Sequence, residues 1–270
     1  MTLHDRRILV TGGSLGIGRA VAEAVAEAGA QVIVAARGEA AVHETVAALP
    51  GEGHLGVALD VAIEASWESA INDIGGPVHG VVTAAGVQGP IGAPGSFAPE
   101  EFLHALQVNL YGTYLAVHFC LPALRATGDG AIVTFSGGGG TSPFPQFDAY
   151  AASKAGVVRL TENLAAELSA DGVTVNAIAP GLVATRMQDE VLAAGPERVG
   201  ADYHAKVGAQ VADGGVSPRA TADLAAFLLS DEARGITGKL LSAQWDDWRD
   251  SAFRARLVAE PDLATLRRVT

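Results

Sequence analysis

One stretch, Thr11-Gly-Gly-Ser-Leu-Gly-Ile-Gly18, constrains this chain more than any other. An apolar run of strand type, Ile8-Leu-Val10, precedes it. An Ala/Glu-rich helical run over residues 19–28 follows and is stopped by Gly29. Glycine lacks a Cβ, so the chain can turn tightly there and a pyrophosphate can come close to the backbone. The unpaired N–H groups that open the next helix then face that ligand. Thr11, Gly12, Ser14, Gly16, Ile17 and Gly18 are the candidate phosphate-side residues. A plain tight turn has a similar composition, so the rest of the chain must decide between the two.

Further strand-type runs occupy residues 31–36, 54–61, 78–84, 131–135, 173–178 and 239–242. Between them lie helical patterns at 39–49, 64–74, 99–124, 148–170 and 221–229, the third with an interruption expected near Pro122. Continuous apolar strands alternating with helices predict an α/β fold. Its core is a doubly wound parallel sheet of about seven strands with helices on both faces. No second composition regime and no repeat divides residues 1–270, so a single domain is expected. Residues 182–216 are polar and Gly-bearing and break the alternation. A lid over the carboxyl ends of the strands is favoured there over a disordered loop. Residues 246–270 form a charged C-terminal extension, with a helical pattern over 251–268. Its tryptophans, Trp245 and Trp248, suit a substrate pocket, a subunit contact or simple packing of the tail onto the body.

The net charge of −12 disfavours nucleic acid and anionic membranes as partners. The single cysteine, Cys120, sits in an apolar run and reads as a small core residue in a reducing, cytoplasmic setting. Residues 1–7 lack the apolar stretch of a signal peptide, and no run is long enough to cross a bilayer. The seven histidines are scattered without ligand spacing, so no metal is expected.

Tyr150 and Lys154 stand four apart in a helical segment, which places phenol and ammonium on one face. A cation near a phenol favours phenolate and predicts a lowered tyrosine pKa. Such a group can exchange a proton with a hydroxyl or a carbonyl. Taken together, the glycine turn and Tyr150-x-x-x-Lys154 resemble the short-chain dehydrogenase/reductase family, in its branch of about 250 residues. Further matches follow in the family's order. Asp60-Val61 resembles the pair that holds the adenine. Ala84-Ala85-Gly86 stands where Asn-Ala-Gly is usual. Asn109 resembles the helix asparagine that holds a relay water. Pro180-Gly181-Leu-Val183-Ala-Thr185 resembles the segment at the nicotinamide end.

The resemblance implies a Rossmann-type fold and hydride transfer between a nicotinamide cofactor and an alcohol or ketone. Tyr150 would be the acid/base and Lys154 its partner on the ribose, with Asn109 linking Lys154 to water. It also implies a homotetramer or homodimer built on the helices that carry Asn109 and Tyr150. The chain departs from the pattern thirteen residues before the tyrosine, where the family's serine is replaced by Gly137. A bulge bringing Ser136 into the site is one remedy. Glycine N–H groups or Ser142 are another, and altered activity is a third. A regulator or scaffold that has lost catalysis is therefore the alternative function, with an epimerase or dehydratase behind it. After the second strand Ala36 stands near the usual acidic position and Arg37 follows. A guanidinium there pairs with a 2′-phosphate, which favours NADP over NAD. A solvated surface arginine is the alternative.

Overall fold

The computed structural model describes residues 1–268. Seven strands form one sheet: β1 Arg7–Thr11, β2 Gln31–Ala36, β3 Leu55–Ala58, β4 Gly80–Thr83, β5 Ala131–Phe135, β6 Thr174–Ala179 and β7 Leu240–Ser242. Their order is β3-β2-β1-β4-β5-β6-β7, and every pairing is parallel. Strands of Val, Ile and Ala can be covered on both faces, and β5 is buried at every position. The chain winds one way from β1 to β3 and the other way from β4 to β7. A crevice therefore opens at the carboxyl ends of β1 and β4. The third strand is shorter than its sequence pattern at both ends, and ahead of it the His54 side chain takes up a β2 donor. Its Nδ1 accepts the Val32 N–H at 3.1 Å.

One face of the sheet carries α1 (Gly16–Glu27), α2 (Glu39–Ala48) and, later in the chain, α10 (Arg219–Leu228) and α11 (Ser251–Ala259). Alanines Ala22, Ala222 and Ala225 are fully buried and let α1 and α10 approach closely. The other face carries α3 (Glu64–Ile74), α5 (Gly112–Thr127) and α6 (Asp148–Leu168), around the fully buried Trp67 and Cys120. Burial pushes the Cys120 thiol up to about 12, so it is an inert core group.

The long helical pattern starting at Pro99 is interrupted, but not at Pro122. Helix α4 (Pro99–Leu106) passes through a π-turn at Gln107–Tyr111 into α5, which runs straight through Pro122. Beside the turn, Gly112 packs on Val61, where a Cβ would lie 2.9 Å from Val61 Cγ2.

Residues 182–216 are not irregular. They form α7 (Arg186–Ala194), α8 (Pro196–Val199) and α9 (Ala201–Ala212), broken at Gly195 and Gly200. A parallel bridge between Val183 and Val216 ties the two ends together. In the C-terminal extension, α11 covers only the first part of the helical pattern. Asp250 caps it by accepting the Phe253 N–H at 2.8 Å. Lys239 Nζ then donates to the carbonyls of Glu260, Pro261 and Leu263 at 2.8–3.0 Å and fixes the segment after the helix. Trp248 is buried against Phe227, with ring centroids 5.7 Å apart, so this tryptophan packs the tail onto the body. Trp245 is 79% exposed and lies beside Gly181.

Candidate active site

The crevice is shaped first by backbone. Thr11 ends β1, and its buried hydroxyl accepts the Ala85 N–H at 3.4 Å and reaches the Val82 carbonyl at 3.5 Å, spanning β1 and β4. Gly12 has φ +66°, and a Cβ there would lie 2.7 Å from Ala85 Cα. A Cβ on Gly18 would lie 2.2 Å from the Gly12 carbonyl oxygen. Neither site admits a side chain, so the turn stays bare and close to whatever lies over it. Helix α1 begins at Gly16 with Leu15 before it. No side chain caps its first N–H groups, and no acidic residue stands in its first turn. Those donors face the crevice and fit an anion.

A cleft of about 350 Å³ follows from this turn. It is lined by Gly12, Ser14, Gly16, Ile17 and Gly18, by Arg37 after β2, and by Asp60 and Val61 after β3. Ala84, Ala85 and Gly86 after β4 and Thr185 before α7 also line it, whereas Thr11, Tyr150 and Lys154 of the expected set do not. Arg37 is exposed at one end. Asp60 shapes its own turn, its Oδ1 accepting the Ala62 N–H at 3.0 Å. Of the segment after β6, only Thr185 reaches the lining. Pro180 and Gly181 lie under Gln244 and Trp245, and Val183 is buried in its bridge. Leu15, Gly38, Ala41, Val87, Val108, Arg186 and Met187 also line the cleft and were not singled out from sequence. Most flank residues that were. Met187 carried no sequence signal, because α7 must first fold back over the strands.

Gly86 is where the cleft meets the polar side chains. A Cβ on it would stand 3.3 Å from Asn109 Oδ1, 3.6 Å from Met187 Cε and 3.8 Å from Lys154 Nζ. Lys154 is buried on α6 and donates to the Phe135 carbonyl at 3.0 Å. Its Nζ lies 5.6 Å from the Tyr150 ring centroid. Burial lowers the Lys154 ammonium to about 8. The expected fall in the Tyr150 pKa does not occur. Burial first, and the Tyr203 phenol second, push it up to about 12. The ammonium is turned to a backbone carbonyl rather than to the phenol oxygen, and desolvation wins.

Asn109 sits in the π-turn and is buried. Its Oδ1 accepts the Val87 N–H at 2.9 Å, and its Nδ2 donates to the Val87 carbonyl and Ser153 Oγ, both at 3.0 Å. Both amide protons are therefore used in bracing the loop after β4 against α6. At the break in the motif no bulge occurs. The residue facing Tyr150 is Gly137, where a Cβ would stand 2.4 Å from the phenol oxygen. Ser136 is buried with its Oγ beside Gly140, and Ser142 is exposed. Among the described residues there is no cluster of metal-ligating side chains. Among the described residues no helix is long and apolar enough to cross a membrane.

A bare glycine turn under an open helix N-terminus, leading to a buried lysine and a tyrosine, defines a dinucleotide-binding α/β enzyme. The chain matches the family model described as enoyl-(acyl carrier protein) reductase over residues 12–244, and it belongs to the short-chain dehydrogenase/reductase family. It is 35% identical to levodione reductase of Leifsonia aquatica over 250 residues, covering 88% of this chain and 92% of that protein. It is 34% identical to the 3-oxoacyl-(acyl-carrier-protein) reductase FabG of Vibrio cholerae over 245 residues, 89% of this chain and 96% of that one. A crystal structure of levodione reductase superposes with a TM-score of 0.81 at 29% identity, covering 89% of this chain and 96% of that one. The chain is an NAD(P)-dependent oxidoreductase that transfers hydride between a nicotinamide cofactor and an alcohol or ketone. The regulator or scaffold alternative is not favoured.

Proposed function

We propose that this enzyme works as a carbonyl reductase in which Tyr150 supplies the proton and NADPH is the preferred cofactor. The observation that carries this is Gly86, which lines the cofactor cleft and whose bare Cα leaves Lys154 Nζ at its inner end. When bound, the nicotinamide cofactor supplies or accepts the hydride. The glycine turn, with the N–H groups opening α1, holds its phosphates. Asp60 and Val61 take the adenine side, and Ala84, Ala85, Gly86 and Thr185 flank the ring end. Pro180, Gly181 and Val183 shape the backbone that delivers Thr185.

Tyr150 is a protonated phenol far above neutral pH, and Lys154 is an ammonium below about 8. A phenol protonated at neutral pH is in the form that can hand a proton to a carbonyl oxygen. Asn109 acts as the brace that keeps the loop after β4 in register with α6. Ser136 has no part in holding the substrate oxygen in this scheme, since its hydroxyl lies beside Gly140. Residues 1–270 act as one catalytic unit, with α7–α9 as the lid over the substrate.

Arg37 is an exposed guanidinium at the cleft end where a ribose 2′-phosphate would lie, and no carboxylate pairs with it among the described residues. A homodimer or homotetramer is supported by an apolar groove of about 420 Å³ lined by Leu103, Leu106, Leu110, Tyr111, Tyr114 and Leu160. Sedimentation of wild type against Leu103→Glu checks it: the wild type is expected to be oligomeric and the variant to dissociate.

The experiment for the catalytic scheme pairs two variants. Tyr150→Phe should reduce ketone turnover by about 10²–10⁴-fold while NADPH still titrates the protein fluorescence. Arg37→Ala should weaken NADPH binding by about tenfold and leave NADH unchanged. A Tyr150→Phe enzyme at wild-type rate rules out the proton role. NADH binding as tightly as NADPH in the wild type rules out the cofactor preference.

A further inference from the structure

The lid brings a second phenol toward the reacting end of the cleft. Tyr203, on α9, sets its ring edge-on against Phe144 at 5.1 Å and against Phe147 at 5.5 Å. Those two rings stack on each other at 4.3 Å. Phe147 is fully buried at the start of α6, and its carbonyl accepts the Ala151 N–H at 2.8 Å. Phe147 is thus fixed at the N-terminus of α6, three residues ahead of Tyr150, with Phe144 stacked on it from the preceding loop. Phe144 also closes over the glycine run after β5, since a Cβ on Gly138 would lie 2.9 Å from its Cε1. Tyr150 and Tyr203 pack against one small apolar cluster that includes Ile91, Val199 and Val207. They are close enough that Tyr203 contributes to the raised Tyr150 pKa.

Both phenols keep their protons at neutral pH, because burial raises Tyr203 as well. Neither hydroxyl has a hydrogen-bond partner among the described residues. A carbonyl oxygen that takes one proton still has a second lone pair. Negative charge growing on it during hydride addition is best met by two fixed donors. The glycine run does not offer the second donor from a side chain. The Tyr150 oxygen already stands where a Gly137 side chain would begin, Ser136 is beside Gly140, and Ser142 is exposed.

We propose that Tyr203 is the second donor: its hydroxyl, carried by the lid and held by Phe144 and Phe147, hydrogen-bonds the substrate oxygen opposite Tyr150. This rests on Tyr150 being the proton donor. The lid then does more than cover the substrate, since the oxygen site is complete only with α9 packed down. Discrimination between substrates follows, because only a ketone whose two substituents let the lid seat on the aromatic pair meets both hydroxyls.

Tyr203→Phe keeps the ring and removes only the hydroxyl. The probes are acetophenone, 2,2,2-trifluoroacetophenone, cyclohexanone and ethyl acetoacetate, with whichever of NADPH and NADH binds the wild type more tightly. The ketone that the wild type reduces fastest is used for kcat, KM and melting temperature of the variants. The expected result is a fall in kcat of about 10²-fold, KM within about twofold of wild type, and an unchanged melting temperature. A Tyr203→Phe enzyme with wild-type kcat overturns the proposal. So does a loss that comes with a lowered melting temperature and a raised KM, since the hydroxyl would then be holding the lid. Tyr150→Phe is measured beside it. An inactive Tyr150→Phe with an unaffected Tyr203→Phe removes this inference and leaves the proton role of Tyr150. A wild type that reduces none of the probes removes the reductase proposal and this inference with it.

Discussion

Two glycine-rich stretches leave the carboxyl ends of β1 and β5, the strands on either side of β4, and they are bare for different reasons. In the turn after β1, an added Cβ would meet backbone: Ala85 Cα from Gly12, and the Gly12 carbonyl oxygen from Gly18. In the run after β5, it would meet Ala151 Cβ and Cα from Gly139, but at the other three positions it would meet the ends of side chains. These are the Tyr150 oxygen from Gly137, Phe144 Cε1 from Gly138 and Ser136 Oγ from Gly140. Backbone cannot step aside, whereas a phenol or a hydroxyl can turn. The first stretch therefore sets one fixed shape, suited to a ligand part that never changes. The second is a surface made largely by side chains, suited to a part that does.

The comparison is broken or sharpened by three measurements. The largest effect is expected from Gly18→Ala, which drives a methyl into the Gly12 carbonyl. NADPH binding should fall by more than about 10²-fold, seen as loss of the fluorescence titration. Binding within twofold of wild type would show that this backbone can move after all. Gly137→Ser should be milder. The new side chain must push the Tyr150 oxygen away, so turnover falls by about tenfold while cofactor affinity and melting temperature hold. A Gly137→Ser enzyme faster than wild type would mean that the position had simply lacked a donor. The smallest effect concerns protons. Backbone N–H groups of the first stretch do not titrate, but Lys154 does. Its ammonium is lost as pH rises through about 8, while Tyr150 stays protonated up to about 12. Ketone reduction should accordingly decline about twofold by pH 8 and further above it. A flat kcat through that pH would remove Lys154 from the proton chemistry.

The sheet was legible because parallel strands buried on both faces leave unbroken apolar runs, and all seven runs lie in the sheet. The bare turn after β1 was legible for a related reason: positions such as Gly12 and Gly18, which leave no room for a Cβ, must spell glycine. Features set by tertiary contact were not. The π-turn at Gln107–Tyr111 contains neither proline nor a break in pattern, while Pro122, the visible breaker, sits inside a continuous helix. Residues 182–216 showed no helical pattern in sequence, yet they hold three helices that Gly195 and Gly200 separate. Trp245 and Trp248 looked alike in sequence, and one is exposed while the other is core. The sign of the Tyr150 shift depended on where Lys154 Nζ points, which spacing along a helix does not fix.

The bridge between Val183 and Val216 has a consequence for how such an enzyme changes over time. Everything between those residues leaves the body and returns to it at one place. Lengthening a segment whose ends are already joined is cheap, with each doubling costing about 0.6 kcal/mol. Insertions, deletions and new side chains in α7–α9 can thus accumulate while β6, α10 and the nucleotide cradle stay in register. Descendants of one ancestor can drift toward different ketones by rewriting this one detachable paragraph of the chain.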